Sequence, residues 1–236
     1  MPPLRFLCLH GMGSNNTVLR FALGPLIRKL ADNNSATFEF LEGGFISPPG
    51  PGMTSLLAYD NSMLQGPWYS YFDAETRHTP NEKTIEPALE SLSAAIKSDG
   101  PFDGILGYSE GALVAAHALM EYARTTSLGD PLPFKCAVFI AGLIPYKFSK
   151  VDGQDVIGRE EEPLNLGRVL TVHVIGNKDE LGEAEKLLEL CKGGPTVVVK
   201  HEGGHSVPHK PREVENIAEA IERAGKWIQF GVEVVR

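Results

Sequence analysis

The stretch from Phe102 to Ala118, FDGILGYSEGALVAAHA, constrains the fold more than any other part of the sequence. An apolar run precedes the pattern Gly-Tyr-Ser-Glu-Gly and a run of small and apolar residues follows it, which predicts a buried strand, a tight turn and a helix. Gly107 and Gly111 lie two residues to either side of Ser109. Because they lack side chains, they permit a strained turn and a close approach of strand and helix. We therefore expect Ser109 to stand exposed at a strand end, above a helix N-terminus that favours negative charge.

The rest of the chain alternates apolar, strand-like runs with helical patterns. Apolar runs without polar alternation are typical of a parallel sheet covered on both faces, so the pattern predicts an α/β fold: a doubly wound, mostly parallel sheet with helices on both faces. We expect one domain over residues 1–236. Besides the strand before Ser109, the predicted strands are 4–9, 37–41, 135–140, 169–175 and 196–200. The predicted helices are 18–30, which Pro25 kinks or restarts, 81–98, the helix after Ser109, 181–190 and 212–230.

Two segments lack a sustained period and are expected to form irregular caps. Residues 42–80 contain five prolines and an aromatic group, Trp68, Tyr69, Tyr71 and Phe72. Long loops in compact domains are usually functional, so we interpret these aromatic residues as a wall or lid of an apolar substrate pocket. The alternative is an aromatic patch that simply covers the core. Residues 143–167 are a second candidate for a cap or pocket edge.

Composition excludes several classes of protein. A net charge of −8 gives no electrostatic support for nucleic-acid binding. Three scattered cysteines are too few for a disulfide framework, and Cys8 and Cys136 lie in apolar runs that favour buried thiols. No Cys/His spacing indicates zinc, and we expect no metal or cofactor. The apolar runs are too short for a signal peptide or a membrane span, so a cytoplasmic location is expected.

Three reactive side chains follow three predicted strands: Ser109, Asp179 and His205. Parallel strands bring their carboxyl ends to one edge of a sheet, so we expect these residues to meet. Because 25 of the 236 residues are glycine, the pattern around Ser109 by itself also fits a chance match. The order Ser, Asp, His is that of the α/β-hydrolase triad, and it favours a catalytic interpretation. His205 would act as general base, and Asp179 would orient its imidazole.

Other residues compete for these roles. His201 and His209 flank the predicted base, but the two glycines before His205 suit a turn that presents a side chain. Glu180 is adjacent to the predicted acid, whereas Asp103 precedes the strand that leads to the serine and therefore lies at its wrong end. We expect His10 to shape the loop after the first strand.

An oxyanion intermediate needs two preorganised N–H donors. The backbone N–H groups of Glu110, directly after the serine, and of Met12, in the turn after the first strand, are the predicted pair. The Glu110 side chain has two interpretations. It complements the dipole of the helix that begins there, or it disfavours anionic substrates near the serine.

The sequence resembles the FSH family of small serine hydrolases, a branch of the α/β hydrolases. The resemblance rests on four motifs in the family's order: LRFLCLHGMGSN, GYSEGA, GNKDE and HEGGHSVP. Tyr108 and Glu110 replace the Phe and Gln that are common in the family's serine motif, whereas the serine and both glycines match. The family includes fungal accessory thioesterases that release polyketide chains. The resemblance therefore implies an α/β-hydrolase fold and an acyl ester or thioester substrate, with an acyl carrier protein as a candidate partner.

The predicted function is hydrolysis of an ester or thioester through an acyl-enzyme on Ser109, in secondary metabolism. Three alternatives remain open at this point: a carboxylesterase that acts on small acyl esters, acyl transfer to an acceptor other than water, and ligand binding without catalysis on a hydrolase scaffold. Neither the oligomeric state nor the physiological substrate follows from the sequence.

Overall fold

A parallel sheet forms the centre of the computed structural model, which describes residues 2–51, 66–73, 82–125, 133–151, 154–164, 166–167 and 169–230. The strands of the described residues are β1 (Leu4–Leu9), β2 (Ala36–Leu41), β3 (Phe45–Ile46), β4 (Tyr69–Ser70), β5 (Gly104–Tyr108), β6 (Cys136–Ile140), β7 (Tyr146–Val151), β8 (Gln154–Arg159), β9 (Leu170–Gly176) and β10 (Thr196–His201). The main sheet has the order β10-β9-β6-β5-β1-β2, and all of its neighbouring strands are parallel. The predicted α/β architecture is thereby confirmed.

Helices cover both faces of this sheet. They are α1 (Asn16–Ala22), α2 (Gly24–Asp32), α3 (Glu82–Asp99), α4 (Glu110–Thr125), α5 (Glu183–Cys191) and α6 (Pro211–Phe230). Along β1 the side chains alternate between the faces: Leu7 and Leu9 pack in a core with α3, α4 and α5, whereas Phe6 and Cys8 pack in a core with α1, α2 and α6. Burial on both faces explains why the strands are apolar throughout. None of the described helices combines the length and apolarity needed to cross a membrane.

The predicted helix over residues 18–30 is divided into α1 and α2. Leu23 lies between them and is the C-cap of the first helix and the N-cap of the second. Pro25 occupies the first turn of α2, where its missing N–H would have no partner within the helix. The proline therefore marks a restart rather than a kink.

Both segments predicted to be irregular contain paired strands. In the first, β3 and β4 form a short antiparallel ribbon. In the second, β7 and β8 pair over six residues each, so the irregular interpretation of 143–167 is wrong for this hairpin. Its signal was present, because Tyr146 and Phe148 alternate with the polar Lys147 and Ser149. The apolar pair packs against the core that includes α4. Residues 52–65 and 74–81 lie outside the described part of the chain.

Candidate active site

Ser109 occupies a strained turn between β5 and α4. Its φ is 54°, in the left-handed region that residues other than glycine rarely adopt. Its backbone N–H donates to the Ile140 carbonyl at 3.0 Å, which fixes the turn to the neighbouring strand. The predicted need for glycine is confirmed at both sides of the turn. A Cβ on Gly107 would lie 2.4 Å from the Ala112 Cα, and one on Gly111 would lie 2.3 Å from the Leu9 oxygen.

The structure brings the three predicted strand-end residues together. His205 Nδ1 lies 2.9 Å from Asp179 Oδ2, and His205 Nε2 lies 2.8 Å from Ser109 Oγ. An ionised carboxylate can only accept, so the proton of a neutral imidazole lies on Nδ1 and the Nε2 lone pair faces the serine hydroxyl. The Asp179 side chain is 2% exposed and that of His205 is 26% exposed. The carboxylate is therefore shielded from water while the imidazole faces the site.

Backbone contacts hold the turn of the aspartate against the turn of the histidine. Lys178 N–H donates to the Gly203 carbonyl at 2.9 Å, and Leu181 N–H donates to Asp179 Oδ1 at 3.1 Å. A Cβ on Gly176 would lie 2.2 Å from the Gly204 oxygen, so only glycine permits this approach. The aspartate is thus oriented by its own turn before it meets the imidazole.

The competing residues lie apart from this cluster. His201 is buried, its Nδ1 accepts from a backbone N–H of its own turn, and its Nε2 has no hydrogen-bond partner among the described residues. Burial lowers the pKa of His201. His209 is exposed at the surface, as is Glu180. Asp103 precedes β5 and pairs with Lys135 at 3.1 Å, at the opposite end of the sheet.

The loop after β1, which holds Met12, is fixed by His10. The His10 ring is fully buried, and its Nδ1 lies 2.7 Å from the Gly11 carbonyl oxygen. That carbonyl and the Met12 N–H belong to one trans peptide unit and point in opposite directions, so holding one orients the other. His10 Nε2 accepts from the Gly43 N–H at 3.0 Å in the neutral ring, and Glu42 Oε1 lies 2.9 Å from the same nitrogen.

The side chain of Glu110 links the serine turn to the same loop. The buried carboxylate accepts from the Ser70 hydroxyl at 2.7 Å and from the Tyr71 N–H at 2.9 Å. The Tyr71 hydroxyl in turn accepts from the His10 N–H at 3.1 Å and donates to the Leu41 carbonyl at 2.7 Å. Burial raises the pKa of Tyr71 well above its usual value, so its hydroxyl keeps its proton. Glu110 and Tyr71 therefore connect the two backbones that carry the predicted N–H donors.

The aromatic residues predicted to line a pocket divide into two groups. Trp68 and Tyr69 are half-buried; Tyr69 lies in β4 and Trp68 directly precedes it. Tyr71 and Phe72 are 1% and 3% exposed and belong to the hydrophobic core. Their burial favours the core-covering alternative for those two residues, while a pocket role for Trp68 and Tyr69 stays a prediction.

Sequence reasoning did not find the contacts of Ser70, or the supporting roles of Tyr71 and of the Tyr108 hydroxyl. Tyr71 lies 39 residues from Glu110 in the chain, and Tyr108 lies 97 residues from the carbonyl that it binds in His205. Such contacts depend on the relative placement of loops, and no local sequence pattern predicts them. In the described ranges, no group of three or more His, Cys, Asp and Glu residues is arranged to hold a metal ion.

Comparison with known proteins places the chain among hydrolases. Residues 1–217 match the family model described as serine hydrolase (FSH1). The hydrolase phiM of a fungal species (strain ATCC 74256) is 31% identical, over 98% of this chain and 100% of its own length. The esterase FPY3 of Fusarium mangiferae is 34% identical, over 93% of this chain and 96% of its own length.

Solved structures agree with the fold. A carboxylesterase of Bacillus cereus superposes with a TM-score of 0.59 at 19% identity, over 94% of this chain and 89% of its own. Arabidopsis thaliana SOBER1 superposes with a TM-score of 0.56 at 18% identity, over 94% of this chain and 99% of its own. The sheet thus has the α/β-hydrolase architecture that the sequence predicts.

Proposed function

Because this enzyme belongs to the serine hydrolase (FSH1) family, we propose that it hydrolyses a carboxylic ester or thioester through an acyl-enzyme on Ser109. The observation that carries the proposal is the continuous path from Asp179 through His205 to Ser109, with contacts of 2.9 and 2.8 Å. A serine hydroxyl is a weak nucleophile at neutral pH, and a base within hydrogen-bond reach activates it.

We assign a residue of this chain to each step of the proposed reaction. His205 Nε2 takes the hydroxyl proton as Ser109 Oγ bonds to the acyl carbon. The tetrahedral oxyanion is stabilised by the N–H groups of Met12 and Glu110, and its collapse expels an alcohol or thiol that receives the proton from His205. Water then attacks the acyl-enzyme through the same series of steps. The acid is released and the Ser109 hydroxyl is restored. Asp179 stabilises the imidazolium at both stages.

The finer proposal is a thioester substrate, such as a polyketide or fatty acyl chain held by a carrier protein. Its support is the resemblance of the four sequence motifs to those of the FSH family, which includes fungal accessory thioesterases. Paired substrates with the same acyl group, one an oxygen ester and one a pantetheine thioester, test it across a chain-length series. A higher kcat/KM for the thioesters supports the finer proposal, whereas a consistent preference for the oxygen esters identifies a carboxylesterase.

A fluorophosphonate probe tests the acyl-enzyme mechanism. We expect one adduct, located on Ser109 by intact mass and peptide mapping, absent in Ser109→Ala and formed far more slowly in His205→Ala. Failure of the folded wild-type protein to label, with ligand entry shown by a binding assay, would favour the non-catalytic alternative. Product analysis with an added alcohol separates hydrolysis from acyl transfer. Hydrolysis at the wild-type rate in Ser109→Ala contradicts the proposed mechanism.

A further inference from the structure

Tyr108, the residue before the proposed nucleophile, binds His205, the proposed general base. The Tyr108 hydroxyl donates to the backbone carbonyl of His205 at 3.0 Å, and the two rings lie 5.9 Å apart. Ser109, the next residue, meets the side chain of the same histidine. Two consecutive residues, Tyr108 and Ser109, therefore hold His205: the first binds its backbone carbonyl and the second binds its imidazole.

Tyr108 is a rigid point of attachment. It is the last residue of β5, where it pairs with Ile140 of β6, and a Cβ on Gly11 would meet its ring at 3.1 Å. Burial, together with the nearby Asp179 carboxylate, raises the pKa of Tyr108 to about 12. The phenol therefore keeps its proton, and remains a donor, throughout the neutral range.

His205, by contrast, lies in a bend that needs such an attachment. Two glycines precede it, and residues 202–206 belong to neither a helix nor a strand. The backbone bond from the aspartate turn reaches Gly203, two residues before the histidine. The Tyr108 hydroxyl extends this support to His205 itself and attaches the bend to the central sheet.

We propose that Tyr108 is a positioning residue for the reaction, which fixes the backbone of His205 so that Nε2 stays in line with Ser109. The inference rests on the proposed function. Loss of the phenol oxygen leaves the aromatic ring in place and frees the bend, so the imidazole spends less time within reach of both Ser109 and Asp179. Substrate contacts are unchanged, and the effect falls on kcat.

The test compares Tyr108→Phe with Tyr122→Phe, the same chemical change at a cavity of about 270 Å³ between α3 and α4. We expect Tyr108→Phe to lower kcat about three- to tenfold with KM unchanged, the loss that one ordinary hydrogen bond represents. The rate constant of fluorophosphonate labelling should fall by the same factor. Tyr122→Phe should change neither rate. Equal rates in Tyr108→Phe and wild type, with wild-type labelling on Ser109, overturn this inference alone.

A second background separates positioning from general loosening of the fold. If Tyr108 acts through the imidazole, Tyr108→Phe in a His205→Ala background leaves the residual hydrolysis unchanged, because the group that it positions is gone. A further three- to tenfold loss in that background would show a different role and overturn the inference. Absence of labelling in wild type would instead remove the proposed function on which the inference rests.

Discussion

The two sides of Ser109 are built in different ways. The side that holds the proposed oxyanion donors, called the oxyanion side, consists of the His10–Met12 loop, Ser70, Tyr71 and the Glu110 side chain. The histidine side consists of Asp179, His205 and Tyr108. On the oxyanion side every one of the linking side chains is 5% exposed or less. On the histidine side the imidazole itself is 26% exposed.

The difference follows from what each side would have to do. Dipoles that stabilise an oxyanion act best when they are fixed in advance and shielded from water. A general base must reach both the nucleophile and the leaving group, so it has to face the open site. Buried polar links also stabilise the fold, because each atom left without a partner costs free energy. Substitutions on the oxyanion side should therefore reduce stability and activity together, whereas substitutions of His205 and Tyr108, which are only partly buried, should reduce activity alone.

The largest expected effect is on the histidine side. His205→Ala removes the proposed base, and we expect kcat to fall by about 10⁴- to 10⁶-fold. The free energy of unfolding should change by less than about 1 kcal/mol, because the side chain is partly exposed. Steady-state kinetics and urea unfolding on the same preparation check both. Ser109→Ala is the control, and the double variant should be no slower than either single one, since the residues act as a unit.

The next largest effect is expected from a substitution on the oxyanion side. Glu110→Ala leaves the Ser70 hydroxyl and the Tyr71 N–H without the carboxylate that binds them, and each such loss costs about 1–3 kcal/mol. We expect the free energy of unfolding to fall by about 2–4 kcal/mol and kcat to decrease. Urea unfolding monitored by circular dichroism measures the first quantity. Glu110→Gln, which keeps one acceptor oxygen, should recover part of both.

A matched control separates this link from the helix dipole. Glu185 also lies in the first turn of a helix, α5, but its side chain is exposed. Glu185→Ala should therefore cost about 0.3–1 kcal/mol, the usual value of a dipole contribution. Similar losses for Glu185→Ala and Glu110→Ala would show that Glu110 only complements the dipole, and would remove the distinction between the two sides.

These links mark the limit of what the sequence could predict. Ser109, Asp179 and His205 were predictable because each follows an apolar strand and parallel strands end at one edge of a sheet. The hydrogen bonds of the Glu110 and Tyr108 side chains were not predictable. They depend on the placement of loops that lie 39 and 97 residues away in the chain. The hairpin of β7 and β8 was missed for another reason. Its alternation is short, and it lies in a stretch without neighbouring helical patterns.

A smaller effect is expected from two tyrosines, one on each side of Ser109. Tyr71→Phe removes the hydroxyl that bridges the His10 N–H and the Leu41 carbonyl, both next to the core. We expect a loss of about 1–3 kcal/mol in the free energy of unfolding and a decrease in kcat of several-fold, because the loop of Met12 loosens. Tyr108→Phe should lower kcat without that loss of stability. Thermal unfolding and kinetics of the two variants, measured side by side, test the contrast. Equal losses of stability would contradict it.

The smallest effect concerns pH and separates stability from catalysis. Burial lowers the pKa of His173, in β9, to about 3. The folded protein keeps this imidazole neutral, whereas in the unfolded chain it titrates near 6.5. The unfolded state therefore binds more protons as the pH falls below 6.5, so stability is full above that pH and declines below it. Between pH 6.5 and 5.5 the resulting loss of stability is about 1 kcal/mol.

His173→Leu should flatten the pH dependence of urea unfolding between pH 6.5 and 5.5 by that amount. It should leave the shape of the pH–rate profile unchanged, because the proposed catalytic proton resides on His205. A slope identical to wild type would show that His173 is not buried in its neutral form.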